Sequence, residues 1–120
     1  MDSNAIGPNL SLANYDRSDR EPFHGYFFRI LTAQGPHAHG GPRDYMINGK
    51  MTGGFAIVAF PAAYRSSGVK TFIVSQDGRI FEKDLGPRTR QLAAAMKSYD
   101  PDGTWTLMRR NEFLNDPVTP

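Results

Sequence analysis

The chain has 120 residues, enough for one domain and too few for two that each bury a core. Apolar residues make up 39% and charged residues 22%, which excludes a disordered chain, and 12 Gly with 9 Pro favour strands and turns over a helical bundle. A formal charge of +2 without a dense basic stripe argues against nucleic acid as a partner, and the lack of Cys removes disulfide and thiolate chemistry.

Residues 1–22 are polar, rich in Asn, Ser and Asp, and are expected to form a flexible arm. Met1 to Ala13 has neither the basic start nor the apolar run of a secretory signal. Order is expected from residue 23, in a single β-rich domain with a late helix over 23–110, followed by a frayed tail over 111–120. The first strand is predicted over Tyr26 to Ala33, with Tyr26, Phe28 and Ile30 on one side. Phe27, Arg29 and Leu31 take the other side, so both faces are expected to be partly covered.

Gln34 to Arg43, with three Gly, two Pro and two His, reads as a loop. Asp44 to Ile47 resumes an extended pattern, and Asn48-Gly49 is a strong hairpin signal with a return strand from Lys50 or Met51. Gly53-Gly54 marks a bulge or a close backbone approach, after which Phe55 to Phe60 reads as a buried central strand ended by Pro61. The apolar run Phe55 to Ala63 is too short to span a bilayer, so no membrane insertion is expected. Val69 to Ser75, the turn Gln76-Asp77-Gly78 and the return Arg79 to Lys83 form the clearest hairpin.

Beyond Gly86 the period changes. Pro87 suits a first helical turn, and Leu92, Met96 and Tyr99 fall on one helical stripe that Asp100-Pro101 would end. Trp105 and Leu107 are expected to fold back onto the sheet. The fold class that results is α+β, mainly an antiparallel β-meander sheet with one short C-terminal helix.

No catalytic set emerges, and no cofactor is expected. Ser66 and Ser67 lack the Gly-x-Ser-x-Gly setting of a nucleophile elbow. Asp100 to Gly103 lacks the further carboxylates and closing Glu of a calcium loop, and reads as a helix stop followed by a turn. Glu82 and Asp84 share one face of a strand, where nearby Lys and Arg favour ordinary ion pairing over acid–base work. The candidate metal ligands are His37 and His39, with His24 and Asp44 completing a set of three imidazoles and one carboxylate suited to Zn or Cu. Against this stands the plainer alternative of solvated histidines in a glycine-rich loop.

Pro22 to Gly35, reading Pro-Phe-His-Gly-Tyr-Phe-Phe-Arg-Ile-Leu-Thr-Ala-Gln-Gly, resembles the C-terminal half of the bacterial domain of unknown function 2950 family. Asp44-Tyr45, Asn48-Gly49, Gly53-Gly54-Phe55-Ala56, Thr71 to Val74, Gln76-Asp77-Gly78, Lys83 to Pro87 and Asp100-Pro101 resemble it in the same order. The resemblance implies a periplasmic or envelope setting. It also implies relatives that are longer, with an export signal and an N-terminal portion not seen here, and with small residues and proline at the positions of His37 and His39. A weaker likeness links the meander to the C-terminal sheet of minor pilins and pseudopilins, where a long helix covers the sheet.

The leading expectation is a non-catalytic binding or assembly domain of a bacterial envelope protein that takes a protein partner or self-associates. The alternatives are an intracellular interaction or inhibitor protein, a phage-borne modulator included, and a small metal-binding protein or hydrolase using the His37/His39 loop.

Overall fold

The computed structural model describes residues 22–108, so the expected arm over 1–22, all but its last residue, and the tail over 111–120 lie outside the described residues. The main sheet has five strands: β1 (Tyr26–Leu31), β6 (Ala56–Pro61), β7 (Lys70–Ser75), β8 (Ile80–Asp84) and β10 (Thr106–Leu107), adjacent in that order. All four pairings are antiparallel, and β6, β7 and β8 form the meander predicted from the hairpin signals. A second sheet joins β2 (Ala33–Gln34) to β3 (Arg43–Asp44) antiparallel and to β9 (Ser98–Tyr99) parallel. β4 (Met46–Ile47) and β5 (Lys50–Met51) form a separate hairpin. Its turn at Asn48-Gly49 has φ of 52° and 80°, the left-handed pair that a two-residue hairpin loop demands.

Residues directly opposite in a pair share a face, so the register sorts the sheet into two sides. On the inner side, Phe27, Arg29 and Leu31 face Phe60, Val58 and Ala56, which continue into Ile73, Ser75 and Phe81. The core closes over this side with Tyr99, Tyr45, Ala38 and Ala93, and with Met96 and Trp105 at its margin. Arg29 and Lys83, the latter opposite Thr71, are charged residues on this side. Arg29 Nη1 donates to the Ala93 and Met96 carbonyls at 3.0 and 2.9 Å, which places a cation at the C-terminal end of the helix.

The late helix is shorter than its apolar stripe predicts. A 3-10 turn, Gly86–Arg88, leads into α1 (Thr89–Ala94), whose six residues turn Thr89 and Ala93 inward. Leu92 is 44% exposed, and Tyr99 has left the helix for β9. The first turn carries neither a side-chain cap nor an acidic residue. Little therefore extends the helix against the pairing that draws Tyr99 beside Gln34. Trp105 and Leu107 do fold back, Leu107 opposite Phe81.

Candidate functional site

The outer side of the sheet has a composition that a solvent-facing surface rarely shows. One row runs Ile30, Ile57, Val74, Ile80, each opposite the next across four strands. The neighbouring row runs Phe28, Ala59, Phe72, Glu82, Thr106. Apart from the buried Ile30 and the exposed Thr106, these residues are only half-buried, and none of them joins the core cluster. An antiparallel sheet with one wetted face would alternate apolar and polar here.

Two rings border the rows. Tyr26 crosses β6, its hydroxyl donating to the Lys70 carbonyl at 3.0 Å and its ring 6.1 Å from that of Phe72. The close approach of Gly68 accommodates it, since a Cβ there would sit 2.3 Å from the Tyr26 hydroxyl. Phe23, 57% exposed, lies edge-on to Phe28 at 6.2 Å, held by reciprocal main-chain bonds with Tyr26. The intervening His24 and Gly25 have φ of 52° and 83°.

The two carboxylates on this side differ. Asp84 accepts from the Tyr64 hydroxyl at 2.6 Å and from the Gly86 N–H at 2.9 Å, and these bonds, the first above all, hold its carboxyl below the usual range. The same bond pushes the Tyr64 hydroxyl up. A carboxyl depressed by folding contributes stability above its unfolded value and loses it as pH falls through the folded one. Tyr64→Phe is therefore expected to raise the Asp84 carboxyl toward the ordinary carboxylate value and to shrink that acid-side loss. An NMR pH titration of the Asp84 side chain that gave the same midpoint in both proteins would contradict it. Glu82, by contrast, has a carboxylate with no hydrogen bond or ion pair among the described residues.

The four candidate metal ligands lie apart in role. His37 Nδ1 stands 3.0 Å from Asp100 Oδ1, which also accepts from the His37 main-chain N–H at 2.9 Å. Asp100 in turn packs on Gly35, where a Cβ would meet its Cγ at 2.5 Å. His39 is exposed and its carbonyl accepts from Gln34 Nε2; His24 meets the Phe23 ring edge-on at 4.2 Å; Asp44 Oδ1 accepts from the Met46 N–H. Among the described residues no group of three or more His, Cys, Asp or Glu side chains is placed to hold a metal ion.

The loop carrying His37 and His39 is fixed from within instead. Gln34 Nε2 donates to the His39 and Gly41 carbonyls at 3.1 and 2.8 Å, while its Oε1 accepts from the buried Tyr45 hydroxyl at 2.8 Å. Gln34 appears in the sequence as an ordinary loop residue, and its role depends on the pairing of β2 with β3 and β9. The outer face did leave a trace, since Ala56 to Phe60 is apolar at both parities of the strand.

A small α+β domain with a two-sided antiparallel sheet, one side closed by its own core and the other apolar and bordered by aromatic rings, is the class of protein that fold and site define. The sequence profile of the family described as protein of unknown function DUF2950 matches residues 1–108, and the chain belongs to that family. No curated protein and no solved structure matches it. Among the described residues no helix is long and apolar enough to cross a membrane.

Proposed function

We propose that this chain is a non-catalytic binding or assembly domain of a bacterial envelope protein, and that its outer sheet face docks a protein partner. The observation that carries this is the pair of apolar rows, Ile30–Ile57–Val74–Ile80 and Phe28–Ala59–Phe72, which the core cluster does not include. Apolar surface of this kind is removed from water when a second protein covers it, at about 25 cal/mol per Å². The envelope setting is what the resemblance of residues 22–107 to this family implies.

A photoreactive phenylalanine analogue at Ile80 tests it in cells. A discrete cross-linked product is expected, identified by mass spectrometry, that is absent with the probe at Leu92 on α1 and lost when Val74→Glu is added. A product formed equally at Leu92, or one indifferent to Val74→Glu, would overturn the assignment, provided the variant melts like the parent.

A further inference from the structure

Resting on that docking surface, we infer that its occupant is a single amphipathic helix of a partner protein, apolar along one side and carrying a Lys or Arg that meets Glu82. The shape argues for one helix. Ala59 stands in register between Phe28 and Phe72, so the smallest side chain of the face forms a floor with an aromatic ring on each side along β6. Tyr26 closes one end of this trough by reaching across to Lys70. The other end runs onto the aliphatic row, whose Ile57 lies between Ile30 and Val74. A ridge of side chains at i, i+4 and i+7 of a helix lies along such a trough.

Area argues against a second copy of the chain. Four strands about 4.8 Å apart and two rows about 7 Å apart along the strand give on the order of 300 Å² per face. Two such faces stacked would bury about 600 Å², well under the roughly 1,200 Å² of a stable protein–protein interface. A helix docked on the same face buries no more of it, so the complex it makes is a transient one, of the kind that interfaces below that size form.

Charge argues for a cation on the helix. Glu82 is half-buried beside Phe72 and opposite Thr106, and no described residue hydrogen-bonds or ion-pairs its carboxylate. Among the described residues of these strands, the other charges on this side are Lys70 and Asp84, which face each other one row away, and Asp84 is held by Tyr64. An apolar cover without a cation would strip water from Glu82 and return nothing to it.

The test uses the full chain and two capped synthetic helical peptides with the same leucine stripe, one with Lys beside the stripe and one with Glu in its place. The Lys peptide is expected to bind about fivefold more tightly at low salt, with amide NMR shifts at Ile57, Ala59 and Val74, and Glu82→Gln is expected to remove the preference. Equal affinities, or shifts centred elsewhere, would overturn the helix assignment while leaving the docking surface itself to the cross-linking result. A dimer by sedimentation that Val74→Glu dissolves would overturn it in favour of a second copy. Side-chain methyl contacts from Ile57 or Val74 to residues outside 22–108, seen by NOE in the protein alone, would overturn it in favour of the chain's own residues.

Discussion

Tyr45→Ala is expected to destabilise the domain by about 3–5 kcal/mol, the range for emptying a large aromatic site. Tyr45 has 0% exposure and belongs to the core cluster, so its ring leaves a cavity that neighbours fill only in part. The hydroxyl adds a second loss, because it donates to Gln34 Oε1 at 2.8 Å, and Gln34 in turn holds the carbonyls of His39 and Gly41. Tyr45→Phe keeps the ring and removes only that bond, so it is expected to cost about 1–3 kcal/mol. Urea unfolding of the three proteins separates the two contributions. A loss below about 1 kcal/mol for Tyr45→Ala would mean that the ring is not packed as described.

The second large effect comes from the glycine that Tyr45 leans on. A Cβ on Gly54 would lie 2.4 Å from both Cδ1 and Cε1 of the Tyr45 ring, and 3.2 Å from Gln76 Oε1. The ring is fully buried and cannot swing into solvent, so Gly54→Ala is expected to cost about 1–3 kcal/mol through strain. The same geometry makes the two substitutions interdependent. In the Tyr45→Ala background the methyl group enters the vacated space, so the double variant is expected to be more stable than the sum of the single effects predicts. Strict additivity in a double-mutant cycle would show that Gly54 is needed for some reason other than the ring.

What the sequence makes legible follows from which interactions are local. Asn48-Gly49 and Gln76-Asp77-Gly78 announce their hairpins because turn geometry is set by two or three residues, and the strands appear where those turns require. Gly53-Gly54 signals a close approach correctly, although only the structure shows that the neighbour is Tyr45. The helical stripe Leu92, Met96, Tyr99 misleads because a distant strand competes for Tyr99, and six residues without a cap offer weak resistance. The outer face is half legible. The run from Ala56 to Phe60 shows that a strand is apolar on both sides, but the rows it builds with Ile30, Val74 and Ile80 depend on pairings between segments far apart in the chain. His37 and His39 read as ligands by spacing alone, and the partner the structure gives His37, Asp100, lies 63 positions further on.

The placement of β9 and β10 bears on how the protein is made. Ser98 and Tyr99 join the small sheet beside Ala33 and Gln34, and Thr106 and Leu107 close the main sheet against β8. A chain emerging from the ribosome can form the β7–β8 hairpin early, since its turn is short, and add β6 across the longer connection between Pro61 and Lys70. It cannot seat Tyr99 in the core, or cover the inner side with Met96 and Trp105, until nearly all of the described domain has been synthesised. During that interval both faces of the nascent sheet are bare apolar surfaces, so the growing chain depends on quick completion, or on a chaperone, to stay free of aggregation.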